Sequence, residues 1–212
     1  MKSLMKVGII FSLFMNVGCG ISKNPDERIV QERTAAEKDH FTKGYLFSSK
    51  ETEDGYHLFK SKTGGYTMLF PVDAIISKEF NEQRETSYET IVYGAERKET
   101  KIMADATYEN KPETQDVEAN LDLLSNTSGY TGEYEELKEE GKRIYYASEE
   151  SEIEGTMSYN YFGFIKSADS NQALEFIYNV SCKKADNACQ SAEAEHEKTA
   201  LKIMKSVTFN RG

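Results

Sequence analysis

The spacing of apolar and polar residues changes several times along this chain. Leu4–Val17 is almost wholly apolar, and Gly20 to about Thr42 is charged with few large apolar side chains. Beyond that, short alternating stretches predict strands. Tyr56–Lys60 and Tyr66–Phe70 flank Gly64-Gly65, with Pro71 closing the second stretch, a hairpin pattern. Ser87–Tyr93 and Thr100–Tyr108 follow, the latter placing Ile102, Ala104, Ala106 and Tyr108 on one face. Pro112 opens a predicted helix to about Ser125, where Val117, Leu121 and Leu124 form a stripe for burial. Glu133–Leu137 and Arg143–Ser148 read as a strand pair about Gly141. Thr156–Lys166, a turn at 168–171 and Ala173–Ser181 make another pair. In its second strand Leu174, Phe176, Tyr178 and Val180 oppose Glu175, Ile177 and Asn179. A last helix, capped by Ser191, would bury Leu201, Met204 and Val207.

Strands, a middle helix, more strands and a final helix predict an α+β domain, an antiparallel β-sheet with helices packed on its faces. The expected division is 1–18, 19–43 and 44–212. A domain of about 165 residues buries about 70 % of its unfolded surface, enough for a real core. Asn24-Pro25-Asp26-Glu27 has the signals of a helix start, so a polar, partly helical tether to about Asp39 is expected ahead of that domain.

The N-terminus then acquires a meaning. Lys2 and Lys6, a short apolar centre and a small residue at Gly18 are the parts of a secretory signal peptide. The apolar stretch from Leu4 to Val17 is 14 residues, short of the roughly 20 that a spanning helix needs. Cys19 directly after Val17-Gly18 resembles the lipobox of bacterial lipoproteins, with Asn16 standing where leucine is usual. The resemblance implies cleavage between Gly18 and Cys19 and a diacylglycerol on the Cys19 thiol. It implies a lipid bilayer as partner and a place on the extracytoplasmic face of the cell membrane.

With Cys19 so assigned, Cys182 and Cys189 remain, and an even remainder in an exported chain reads as a disulfide. Closing so short a loop is worth roughly 2.5 kcal/mol by chain entropy. Two free thiols are the alternative. The formal net charge of −10 excludes a nucleic-acid footprint, which needs a basic surface.

Gly65-Tyr66-Thr67-Met68-Leu69-Phe70-Pro71 followed by Ala74-Ile75-Ile76 resembles the opening strand of PsbP-like domains, and Ala200–Phe209 is similar to their closing helix and strand. The resemblance implies an antiparallel sheet flanked by helices and a non-enzymatic accessory or binding role.

Candidate chemistry is sparse. There is no G-x-S-x-G, Walker loop, G-x-G-x-x-G or H-E-x-x-H, so no catalytic residue, cofactor or metal is expected. His40 ends the tether and His57 lies in a strand. Glu193 and His196 have E-x-x-H spacing, once only, on a helix face read as solvated. Acidic runs at Glu133–Glu140 and Glu149–Glu154 also read as solvated, without EF-hand spacing. The 13 tyrosines raise a glycan-binding platform as an alternative, although tyrosine is equally a strand residue. The expected function is a non-catalytic binding or accessory module at the cell envelope, facing an unidentified protein partner. A glycan-binding surface or an envelope enzyme without a known motif is the alternative.

Overall fold

A computed structural model describes residues 33–97, 99–185 and 193–210. Two antiparallel sheets organise them. The smaller has three strands in the order β1 (Tyr56–Lys60), β2 (Tyr66–Pro71), β11 (Thr208–Phe209). The larger contains β3 (Ile75–Ile76), β4 (Glu82–Arg84), β5 (Tyr88–Arg97), β6 (Thr100–Asn110), β7 (Glu135–Glu139), β8 (Lys142–Ile153), β9 (Thr156–Ser167) and β10 (Gln172–Lys183). Its order is β3-β5-β6-β10-β9-β8-β7, with β4 also paired to β5. The predicted hairpins form: β1 pairs β2 with Leu58 opposite Leu69, and β9 pairs β10 with Phe176 opposite Gly163.

Period-two burial gives the large sheet two different faces. Its inner face carries Ile91, Tyr93, Ile102, Ala104, Ala106, Tyr108, Leu174, Phe176, Tyr178 and Val180, all buried in one core with Phe59, Tyr66, Met68 and Phe70 of the small sheet. The C-terminal helix α4 (Glu193–Ser206) adds Ala200, Ile203 and Met204 to this core, and Val207 follows. The outer face carries Ala147, Phe162, Phe164 and Ala173 beneath helix α3 (Val117–Ser128), which contributes Leu124, Leu121 and Val117, the predicted stripe.

Two helix boundaries differ from expectation. Pro112–Gln115 forms a separate 3-10 turn, because Asp116 turns out of the helical path and accepts from Ala119 N at 3.1 Å as the cap of α3. Asp116→Ala is expected to cost about 1 kcal/mol in urea denaturation, and an unchanged midpoint would show that the cap is dispensable. At the N-terminal end, residues 34–43 are not a solvated tether. They form α1 (Ala35–Lys38), with a Thr34/Glu37 capping box, and α2 (His40–Lys43), capped by Asp39, whose extended backbone stops any longer helix. Ala36 and Thr42 are fully buried, and Thr42 Oγ1 accepts from Ile76 N at 2.9 Å. The folded unit therefore takes in residues 33–43 and does not begin at residue 44. Among the described residues no helix is long and apolar enough to cross a membrane.

Candidate functional site

Gly18, Cys19 and Cys189 lie outside the described residues. Cys182, the last residue but one of β10, is buried opposite Met157 and Thr100. His40 is exposed at the start of α2, and the other two histidines play packing roles. His57 is fully buried and its Nε2 lies 2.9 Å from Thr34 Oγ1, tying the start of α1 to β1. His196 is not on a solvated face as expected. Its ring lies 6.4 Å from that of Tyr159, burial lowers its pKa, and its Nε2 is enclosed without a hydrogen-bond partner. The reason is helical period: His196, Ala200, Ile203 and Val207 fall on one stripe, the side of α4 turned to the core. Glu193 is exposed, and among the described residues no group of three or more His, Cys, Asp or Glu is placed to hold a metal.

The acidic runs sit on strands. Glu135–Glu139 is the sheet's edge strand β7, where charge discourages further strand pairing. Several of these carboxylates meet cations, as in Glu139–Lys205 at 3.3 Å and Glu152–Lys184 at 2.6 Å. The tyrosines are mostly core: Tyr45, Tyr66, Tyr93, Tyr108, Tyr146, Tyr159, Tyr161 and Tyr178 are buried, the other five are half-buried and none is exposed. A flat platform of exposed tyrosines is therefore not present on the described surface.

A cavity of about 610 Å³ lies at one end of the sheets, lined in part by Gly65, Tyr108, Lys142, Ser170 and Gln172. Several of its polar groups already have partners. Lys142 Nζ donates to Lys205 O and Val207 O, each at 2.5 Å, closing the end of α4. Gln172 Nε2 contacts Tyr108 Oη, Gly65 O and Asn210 O, each at 3.0 Å. This chemistry holds the C-terminus to the two sheets.

The outer face of the large sheet is less committed. Helix α3 packs on its β8–β10 half, and the β5–β6 half stays at the surface. One cross-strand row runs Ile75, Gly94, Met103, Asn179, Asn160 in register. Gly94 has no side chain to fill the row, which leaves a hollow of about 630 Å³ with Asp73 and Lys101 on its rim. Met103 is 58 % and Ile75 46 % exposed there, unusual for large apolar side chains in a sheet. A parallel row runs Thr90, Thr107, Glu175, Phe164. Burial, reinforced by Glu109 and Asp105, pushes the Glu175 carboxyl up to about 7 against the opposing pull of Lys111. Burial likewise raises Asp105, opposed by hydrogen bonds from Thr107 and Thr90 at 3.3 and 3.4 Å. Raised carboxyls suit acid–base chemistry only where a substrate can reach them, and neither lines the hollow or the end cavity. Strand alternation put Glu175 on this face, but nothing local announced Asp105 and Glu109 as its neighbours.

The fold and this face define a single α+β unit with an antiparallel sheet, peripheral helices and one sheet half left open. The chain belongs to the family described as "Putative lipoprotein YvcA", which matches residues 32–208. It is 26 % identical over 239 aligned positions to the "Putative lipoprotein YvcA" of Bacillus subtilis (strain 168), covering 99 % of this chain and 97 % of that protein. Among solved structures, the Saccharomyces cerevisiae Ran-binding protein Mog1p is 13 % identical with a TM-score of 0.48, covering 72 % of this chain and 94 % of that one. LpqN, involved in cell envelope biogenesis of Mycobacterium tuberculosis, is 11 % identical with a TM-score of 0.42, covering 74 % and 91 %.

Proposed function

We propose that the protein is a lipoprotein held on the extracytoplasmic face of the cell membrane by acyl chains on Cys19, and that its domain is a non-catalytic binding module for an envelope protein. The lipobox-like Val17-Gly18-Cys19 and the name of its family support the anchor. Each buried methylene adds about 0.8 kcal/mol, so two or more chains would hold the protein stably without a spanning helix. Cleavage before Cys19 would remove residues 1–18, and a Cys182–Cys189 disulfide would staple the end of β10. The PsbP-like reading of the accessory role draws on Gly65–Pro71 and Ala200–Phe209, which meet where Thr208 pairs Thr67 and Phe209 pairs Tyr66.

The observation that carries the binding role is the hollow at Gly94, with Ile75 and Met103 exposed beside it. Apolar side chains ringed by polar ones on an otherwise polar surface are the pattern of a protein interface. A photo-crosslinking residue at Met103 in intact cells is expected to capture one discrete protein that the same residue at Leu123 on α3 does not. Identical capture from both positions would defeat the assignment. Cys19→Ala is expected to abolish labelling by radioactive palmitate and release the protein from membranes; persistent labelling would defeat the anchor. Mass analysis without reductant is expected to find no alkylatable thiol at Cys182 or Cys189.

A further inference from the structure

The cations of this acidic chain are unevenly matched. Across much of the domain they sit against carboxylates, as in Arg97–Asp73, Lys111–Glu109 and Lys202–Glu53. Around Tyr45 they do not. Lys43, Lys62 and Lys78 are exposed and none forms an ion pair among the described residues. Two of them lie on rings instead: Lys62 Nζ is 4.7 Å from the centre of Tyr45 and Lys78 Nζ 5.7 Å from that of Phe41. The same corner holds the exposed phenyl groups of Phe47, 66 %, and Phe80, 63 %. Tyr45 joins them, since Phe47 follows it by two residues and Asn81, next to Phe80, donates to Tyr45 Oη at 2.8 Å. Three carboxylates lie close by, and one of them, Glu89, is fully buried, where it accepts from Lys62 N at 2.9 Å. Asp39 is engaged as the cap of α2, where it accepts from Thr42 N at 2.7 Å and faces Lys78, and Glu79 is exposed between Lys78 and Phe80.

Apolar tips ringed by lysines suit the boundary between headgroups and acyl chains. The rings enter it, while lysine stems lie along them with their ammonium groups among anionic headgroups. The path of the chain agrees. Only the 13 residues Gly20–Glu32 separate Cys19 from the start of the folded unit at Arg33. Thirteen residues reach at most about 45 Å, so the end of the domain where they enter stays within that distance of any anchor at Cys19. That end includes α2, which carries Phe41 and Lys43.

We propose that the corner formed by Phe47, Phe80, Lys43, Lys62 and Lys78 rests on an anionic bilayer surface and orients the domain on its tether. This rests on the lipid-anchor reading above. The chain contains no tryptophan, so Phe47→Trp and Phe80→Trp each introduce a sole indole reporter. Both buried cores lie within residues 33–210, so residues 20–212 with an N-terminal hexahistidine tag retain the folded unit. Bound through the tag to nickel-chelating vesicles rich in phosphatidylglycerol, both variants are expected to shift emission to the blue and to be quenched by brominated acyl chains. On phosphatidylcholine vesicles, or with Lys43→Glu and Lys78→Glu added, the shift is expected to shrink. Leu123→Trp, exposed on α3, is the control and is expected not to shift. Unshifted emission from Phe47→Trp and Phe80→Trp, an equal shift from Leu123→Trp, or an equal shift on both vesicles would overturn the proposal. The tag replaces the acyl group, so failure of palmitate labelling at Cys19 would sink the anchor reading while leaving this measurement intact.

Discussion

Substituting Gly65 by alanine is expected to destabilise the domain by about 2–4 kcal/mol, although it adds a single methyl group. A Cβ there would stand 2.2 Å from both Cζ and Oη of Tyr108. That ring has little room to retreat. Tyr108 is fully buried, stacks on Tyr66 at 5.2 Å and accepts a hydrogen bond from Gln172 Nε2. Gln172 also contacts Gly65 O and Asn210 O, so a displaced ring strains the tie between both sheets and the C-terminus. A double-mutant cycle checks the cause. With Tyr108→Ala in place, Gly65→Ala should cost almost nothing in thermal or urea denaturation. A cost that persists without the ring would place the strain in the backbone instead.

Glu175→Gln is expected to act in the opposite direction, stabilising the protein by about 1–3 kcal/mol at pH 8 and not at all below about pH 4. The folded-state value of about 7 exceeds the ordinary glutamate value of 4.5. Between those limits the folded protein holds a proton that the unfolded chain has released, so this residue's contribution to stability falls as pH rises. Below the lower limit both states are protonated and nothing is lost. Above the upper limit the whole cost of a half-buried carboxylate beside Asp105 and Glu109 is present. Glutamine removes the charge and with it that cost. Melting temperatures of both proteins across this pH range should diverge upward from acid to alkaline. A constant difference would mean that packing, not charge, separates them.

Local spacing was a good guide to faces and a poor one to neighbours. Alternation in Thr100–Tyr108 and Ala173–Ser181 named the buried side of β6 and β10 correctly, because burial of one pleated face repeats every second residue. It also placed Glu175 opposite Leu174 and Phe176. It was silent on Asp105 and Glu109, because their approach depends on β10 pairing with β6 some 70 residues earlier, at the register that sets Glu175 against Thr107. The tether was misjudged at residues 34–43 for a related reason. Two short helices with only Ala36 and Thr42 to bury show almost no amphipathic signal, yet each fits the edge of a sheet that already exists.

The sequence by itself determined the α+β class, the order of the principal strands and of the two long helices, the inner faces of those strands and the acidic character of the chain. Those properties are written in local period, turn residues and charge. Only the tertiary structure decided that the tyrosines are core, that His196 turns inward, that a glycine opens a hollow between Ile75 and Met103, and that Lys62 and Lys78 lie against the rings of Tyr45 and Phe41 rather than in ion pairs. Each of these depends on which distant strands meet and at what register, and no short stretch of sequence carries that information.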